Sequence, residues 1–282
     1  MCSELIPGDG VKLVSWFSKR TSGAPRSGPR STRKAVYNAD GVCVFGKNTE
    51  FLREPRFVEA YGRGMDSGHK IGRERGSKTD IHIEWRIHVL CWAAYHATKL
   101  PGDFVECGVN TGICSLAVAH YIDLNSTGKR FYLFDTFSGI PKEQISDRER
   151  ELNREKENAL YYEECYETAC QNFAPFPNAH LIRGRVPDTL SNVQIDRVCY
   201  LHLDMNIVAP EIAAIHHFWE KLVPGGQVIL DDYGWLGYVP QKEAMDQFAA
   251  SVACKILTLP TGQGLLLKPP AGSTPTVGTA AG

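Results

Sequence analysis

The stretch Asp103-Phe-Val-Glu-Cys-Gly-Val-Asn-Thr-Gly112 decides the fold. Phe104 to Cys107 is a short, mostly apolar run between Pro101-Gly102 and Gly108, the pattern of a buried strand. Gly108 and Gly112 bracket a tight turn, and Ile113 to Leu124 then reads as a helix. Strand, glycine turn and helix make a nucleotide-type site, because glycine lets a ligand approach the backbone and a helix N-terminus presents unpaired N–H groups. The spacing departs from the dinucleotide fingerprint G-x-G-x-x-G, since Asn110 stands where a further glycine is expected. An acid, Glu106, comes two residues before the first glycine instead. That placement suits a cationic, hydroxyl-rich ligand better than a pyrophosphate. S-adenosylmethionine, with its ammonium, sulfonium and ribose diol, fits that description.

Outward from this unit, strands and helices alternate. Phe131 to Phe134 reads as a second strand ending at Asp135, His180 to Ile182 as a third, Val198 to Leu203 as a fourth ending at Asp204, and Val228 to Leu230 as a fifth ending at Asp231-Asp232. The polar stretch Lys142 to Asn172 is expected to be helical, as are the segment opened by Pro210 and the segment Lys242 to Ala250. Pro224-Gly225-Gly226 reads as a turn, and Lys255 to Leu259 with Leu265 to Lys268 as a closing antiparallel hairpin. The expected fold is α/β: a doubly wound, mostly parallel, Rossmann-like sheet of seven strands with that hairpin at its C-terminal end. Upstream, Ile83, Ile87, Leu90, Cys91 and Ala94 recur at helical spacing over Asp80 to Lys99, with Thr79 or Asp80 as the cap. Phe51, Phe57, Val58 and Tyr61 could share one short helix before a glycine-rich loop, Gly62 to Gly76, readable as a packed arm or as a lid.

Composition narrows the class. A hydrophobic content of 43% and a formal net charge of −1 describe an ordinary globular chain with no global field to recruit nucleic acid or an anionic membrane. The nine cysteines show no C-x-x-C pair or zinc spacing and mostly sit in apolar surroundings, as reduced buried thiols do. No apolar signal core or membrane-length run is present, so a reducing cytoplasm is the expected compartment. Residues 1–36 read as a disordered basic tail, and 269–282, rich in Pro, Gly, Ala and Thr, as a second one.

Open α/β sheets bind ligands at the carboxyl ends of their strands, and the acids cluster at those ends. Asp135 ends the strand after the glycine turn, where a carboxylate can accept both ribose hydroxyls; the bland alternative is an Asx turn with Thr136 and Ser138. Gly108, Asn110, Thr111, Ser115, Thr136 and Gly184 complete the expected cofactor contacts around Glu106 and Asp135. Asp204, Asp231 and Asp232 form a second group, on neighbouring strand ends if the fourth and fifth strands pair. Oxygen-only ligands suit a hard cation such as Mg²⁺. Asp231 and Asp232 can both ligate only if the chain bends there, which Gly234 favours.

The run from about Pro101 to Lys268 resembles the macrocin O-methyltransferase (TylF-like) family of class I S-adenosylmethionine-dependent methyltransferases. The matching pieces are Pro-Gly-Asp-Phe-Val-Glu-Cys-Gly-Val (101–109), Phe-Asp-Thr-Phe-Ser-Gly-Ile-Pro (134–141), Pro-Asp-Thr-Leu (187–190), Leu-His-Leu-Asp (201–204) and Pro-Gly-Gly…Asp-Asp-Tyr-Gly (224–234). The resemblance implies a methyltransferase domain over 100–268, preceded at 37–99 by an arm or lid with its helix. It also implies magnesium on Asp204, Asp231 and Asp232, and methylation of hydroxyls on sugars or glycosylated natural products. The chain departs from the family where a second acid commonly follows the fourth strand, reading Asp204-Met-Asn-Ile-Val-Ala-Pro-Glu211 instead.

The expectation is therefore a Mg²⁺- and S-adenosylmethionine-dependent O-methyltransferase, with Asp204 as metal ligand and proton acceptor. Its partner is a small-molecule or glycan acceptor bearing a hydroxyl, with no nucleic acid and no membrane span; a homo-oligomer is compatible. If Asp204 is not the base, His202 is the next candidate, against its reading as a buried strand residue. The rivals are an NAD-linked oxidoreductase, opposed by the missing fingerprint and the terminal hairpin, and a non-catalytic module on the same fold, opposed by the strand-end acids.

Overall fold

The computed structural model describes residues 34–270 and Gly272. The expected tails therefore lie outside the described residues except at 34–36, 269, 270 and 272, and Val36 already donates its N–H to the Val44 carbonyl. A small hairpin, β1 (Tyr37–Ala39) and β2 (Val42–Val44), leads into α1 (Pro55–Met65) and α2 (Glu84–Ala97). The alternating unit follows as β3 (Asp103–Cys107), α3 (Ile113–Ile122), β4 (Phe131–Asp135), then α4 (Asp147–Glu151), α5 (Arg154–Tyr161) and α6 (Tyr166–Phe173). The chain continues through β5 (Ala179–Arg183), β6 (Val198–Leu203), α7 (Val208–Trp219), β7 (Leu222–Leu230), α8 (Val239–Ser251), β8 (Leu257–Thr258) and β9 (Gly264–Leu267).

The main sheet has the order β5-β4-β3-β6-β7-β9-β8, parallel from β5 to β7 and antiparallel through β9 and β8. This is the expected seven-stranded, doubly wound sheet with its terminal hairpin. Side chains alternate between faces along each strand, so β3 divides its residues between two cores. Phe104 joins Ile87, Leu90, Phe131 and Tyr200 under α2 and α3. Val105 and Cys107 join Leu201, Leu203, Phe218 and Phe248 under α7 and α8. Burial of each large apolar side chain contributes about 1.5–3 kcal/mol. With both faces covered, the open carboxyl edge is where a ligand enters.

Several boundaries differ from the sequence reading. Helix α2 starts at Glu84 rather than after Thr79 or Asp80, because Asp80 is otherwise engaged: its carboxylate accepts the Tyr61 hydroxyl and the His82 N–H. Phe51 sits in a 3₁₀ turn before α1, and Val58 on α1 is half exposed, so of the four expected residues only Phe57 and Tyr61 belong to the helix's buried stripe, which Ala60, Gly64 and Met65 complete. The polar stretch 142–172 breaks into three short helices. Pro224-Gly225-Gly226 is absorbed into β7, whose register against β6 shifts between Val198 and Tyr200. The segment 66–83 is a strap on the carboxyl edge. Arg73 ties it together, donating to the carbonyls of His69 (2.9 Å), Thr79 (2.5 Å) and Met65 (2.7 Å).

Candidate active site

A cavity of about 470 Å³ opens at the carboxyl ends of β3, β4, β6 and β7. At one end the turn after β3 is built by its own neighbours. Gly108 has φ +93°, and a Cβ there would overlap the carbonyl of Asp204, so β3 and β6 close up at this point only because the residue is glycine. Asp135 Oδ2 accepts the N–H groups of Val109 (2.5 Å) and Asn110 (2.7 Å), while Oδ1 accepts the N–H of Phe137 (2.6 Å). The expected ribose carboxylate thus lines the cavity and also organises the turn. Glu106, Gly108, Asn110, Thr136 and Gly184 line the same end.

Two expected contacts stand behind the wall instead. The Thr111 hydroxyl turns to Ser67 Oγ (3.3 Å), and its N–H bonds the Asn110 side chain at 2.8 Å. Ser115 is fully buried within α3. Glu106 is buried against His202, whose Nδ1 lies 3.3 Å from its carboxylate. Burial raises the Glu106 carboxyl, and His202 partly offsets that rise. His202 itself is a fully buried strand residue, so of its two sequence readings the structural one describes its place.

At the other end, carboxylate oxygens of Asp204, Asp231 and Asp232 lie within 4.8 Å of one another. The chain turns immediately after β7, and this brings both Asp231 and Asp232 to the same side. Asp231 is heavily partnered: Arg86 donates to Oδ2, Gln263 Nε2 to Oδ1 at 3.0 Å, and His202 Nε2 stands 3.5 Å from Oδ1. Although its burial works the other way, Arg86 and then His202 hold the Asp231 carboxyl well below the usual range. Asp232 has a buried Oδ2 with no partner. Its burial and the charge of Asp231 push it up to about 7. Burial and the same two neighbours push Asp204 well above the ordinary value.

Several residues of this end escaped sequence reasoning. Arg86, on α2, pairs with Asp231, reaches Asp40 in the β1–β2 turn at 3.3 Å, and comes within 4.0 Å of Asp232. Trp235 lies beside it, packed so closely between Gly41 and Gly262 that a Cβ at Gly262 would overlap the indole. Tyr238 donates to Asn206 Oδ1 at 3.0 Å, and Asn206 Nδ2 faces Asp204 Oδ1 at 3.3 Å. Behind Tyr238, the Arg154 guanidinium stacks 3.8 Å from its ring. The buried Glu211 carboxylate accepts the N–H groups of Met205 (3.1 Å) and Asn206 (3.2 Å), which fixes the loop after Asp204. The only advance signal was the aromatic run Tyr233-Gly-Trp-Leu-Gly-Tyr238 next to the aspartates. A further group, Asp80, His82 and Glu84, also converges, but in a solvent-facing position.

Chemically, one end offers backbone and a carboxylate to a polar nucleoside, and the other offers three carboxylates to a hard cation. The unpartnered Asp232 oxygen and the oxygen-only donor set fit such an ion. Among the described residues, no helix is long and apolar enough to cross a membrane.

A family model described as Macrocin-O-methyltransferase (TylF) matches residues 86–256. The chain is 27% identical over 150 residues to an 8-demethyl-8-(2,3-dimethoxy-alpha-L-rhamnosyl)-tetracenomycin-C 4'-O-methyltransferase of Streptomyces olivaceus, a match covering 51% of this chain and 57% of that protein. It is 26% identical over 169 residues to a demethyldecarbamoylnovobiocin O-methyltransferase of Streptomyces niveus, covering 57% of this chain and 64% of that protein. The chain therefore spans less than two thirds of the length of these relatives. In three dimensions it is similar to the O-methyltransferase NovP, with a TM-score of 0.60 at 21% identity, over 75% of this chain and 88% of that one, which shows the fold.

Proposed function

The chain belongs to the macrocin O-methyltransferase (TylF) family, and from that premise we propose that it is a Mg²⁺- and S-adenosylmethionine-dependent O-methyltransferase acting on a hydroxyl of a sugar, glycan or glycosylated natural product. The observation that carries the reading is one continuous cavity with the glycine turn and Asp135 at one end and the aspartate trio at the other. The similarity to O-methyltransferases whose names specify glycosylated or related acceptors supports the substrate class.

Methyl transfer is an in-line displacement, so most of the protein's contribution is positioning. The turn 108–112 and Asp135 would hold the nucleoside, and Glu106, which lines the same end, would offer a carboxyl group to the cationic cofactor. Asp204, Asp231 and Asp232 would hold the metal, which when bound supplies positive charge that makes an acceptor hydroxyl more acidic. Asp204, within 4.8 Å of the other two aspartates, takes that hydroxyl's proton; a bound cation would weaken it as a base, and the same ion would acidify the hydroxyl beside it. Asn206, at the position of the family's usual second acid, orients Asp204 rather than accepting a proton. The division into a methyltransferase domain at 100–268 and an arm at 37–99 belongs to the same proposal. The strap within that arm covers the cavity through Ile71, Gly72, Ile81 and Ile83.

Calorimetric titration with S-adenosylhomocysteine, followed by reduced nicotinamide cofactors, tests the reading. Saturable binding of the first and none of the second is expected. The opposite pattern would sink the methyltransferase reading and restore the oxidoreductase one.

A further inference from the structure

We infer that the strap supplies a cofactor contact of its own: the His69 imidazole and the N-terminus of α3 together receive the aminoacyl carboxylate of S-adenosylmethionine. The inference rests on the methyltransferase reading and deepens it, since His69 lies outside residues 86–256, which the family model matches.

The amino-acid end of the cofactor carries opposite charges on one carbon. With the ammonium at Glu106, the carboxylate needs donors at the same end of the cavity, because a desolvated carboxylate without them is costly. The glycine turn has none to spare. Its Gly108 N–H donates to the Phe134 carbonyl at 2.9 Å, and the N–H groups of Val109 and Asn110 donate to Asp135. The Thr111 N–H goes to the Asn110 side chain and the Gly112 N–H to the Val109 carbonyl at 2.9 Å. Among the described residues lining the cavity the single guanidinium is Arg86, and Asp231 holds it at the opposite end.

Two sets of donors remain. Helix α3 opens on Gly112 with no side-chain cap, and the N–H groups of Ile113 and Cys114 have no partner among the described residues. Both residues line the cavity, and a helix N-terminus of this kind attracts an anion. His69, only 6% exposed, lines the same cavity, and its Nδ1 is buried with no hydrogen-bond partner. Burial pushes its imidazole down to about 4, an effect that the neighbouring Asn110 and Asp135 side chains partly offset. Those two neighbours place the ring at the glycine-turn end. The neutral ring carries one N–H donor and no charge. A buried nitrogen without a partner costs free energy, and a carboxylate oxygen against it removes that cost.

The strap is fixed where His69 sits. Asn172 Nδ2 donates to the carbonyls of Ser67 (2.9 Å) and Thr111 (2.8 Å), which pins the strap to the glycine turn two residues before His69. Beyond it, Arg73 Nε donates to the His69 carbonyl at 2.9 Å, and the Gly76 N–H to the Gly68 carbonyl at 2.9 Å. The imidazole is thus held in place by bonds to its own backbone, so little ordering is left for the cofactor to impose.

The test titrates the full chain calorimetrically with S-adenosylhomocysteine and with its decarboxylated analogue, which keeps the ammonium and the nucleoside. His69→Phe keeps a planar ring and removes the donor. It is expected to weaken S-adenosylhomocysteine about tenfold to a hundredfold, the scale of one hydrogen bond to a charged group, and the analogue by about twofold or less. Equal weakening of both ligands would mean that His69 only supports the strap, and overturns the inference; so does unchanged affinity for both. A milder variant, His69→Gln, serves a second readout by identifying the His69 ring ¹⁵N resonances of the wild-type chain through their loss. Those resonances are expected to shift with S-adenosylhomocysteine and far less with the analogue. Equal shifts with both ligands, or none with either, overturn the assignment. If the wild-type chain does not bind S-adenosylhomocysteine, the methyltransferase reading itself falls. If it binds and His69 is indifferent to the carboxylate, that reading stands and the strap contact alone is withdrawn.

Discussion

At the glycine-turn end of the cavity, proposed as the cofactor end, the groups that form the site are near neighbours in sequence, whereas at the aspartate end, proposed as the acceptor end, they come from opposite parts of the chain. Asp135 organises backbone N–H groups only 25 and 26 residues away, within one strand–turn–helix–strand unit. Arg86 meets Asp231 across 145 residues, and Gln263 reaches the same carboxylate from the terminal hairpin. The first end rests on backbone geometry, the second on charge balance. Polar backbone sites tolerate modest change, while a buried ion pair that loses one member leaves a stranded charge.

Four changes test this contrast. The largest effect is expected of Asp204→Asn, which keeps the shape and removes the proton acceptor. Turnover should fall by about 10²–10⁴ while the affinity for S-adenosylhomocysteine stays close to wild type. Near-normal kcat at saturating Mg²⁺ would mean that the base lies elsewhere.

Next comes Arg86→Met, which leaves Asp231 buried beside only His202 and Gln263. Chemical denaturation should register a loss of about 3–5 kcal/mol. A loss below about 1 kcal/mol, the scale of an exposed pair, would show that the acceptor end does not depend on this charge balance.

Asp135→Ala addresses the opposite end. Cofactor binding should weaken by about 1.5–3 kcal/mol as charge-assisted hydrogen bonds are lost, with divalent-ion affinity unchanged. If both affinities fall together, the two ends are one cooperative unit and the contrast fails.

The smallest effect is a pH profile of the chelated protein. Burial raises Asp232 to about 7 and Glu211 to about 8, well above the roughly 3.9 and 4.3 of unfolded carboxyls. Both bind protons more tightly when folded, so their contribution to stability is greatest at low pH and is lost as pH rises through 7 and 8. Asp231 has the opposite sign: its depressed value contributes stability above the unfolded pKa that is lost as pH falls below about 4. Calorimetric Tm should therefore drop by a few degrees between pH 5 and 8, and Mg²⁺ should recover the part due to Asp232. A flat profile without metal would contradict the burial assigned to these acids.

The same contrast explains what the sequence made legible. Glu106, Asp135, Asp204, Asp231 and Asp232 stand at the ends of apolar runs, so strand periodicity alone brings them to one edge. Arg86 had no such marker. It lies in a helix between Trp85 and Ile87, where a charged residue reads as a solvated position, and its partners are set by tertiary packing. The start of α2 was misread for a related reason: Tyr61, 19 residues upstream, engages the Asp80 carboxylate that local rules assign to a cap. Pro224-Gly225-Gly226 carries every mark of a turn, yet the adjoining strands take it up as an irregularity of the ladder. Thr111 and Ser115 sit at helix-start positions that fit a ligand, but their side chains pack into the interior.

Trp235 adds a consequence for how the molecule is made. Its indole is held between Gly41, in the first hairpin of the described chain, and Gly262, in the loop before its last strand. During synthesis from the N-terminus, the glycine turn, Asp135 and Asp204 have all been made before Trp235 exists, and the indole's second support arrives later still. A partly made chain can therefore carry all the groups proposed to hold the nucleoside while the mouth of the aspartate end still lacks one side. On the proposed reading, the groups for acceptor recognition are completed later in synthesis than those for cofactor recognition.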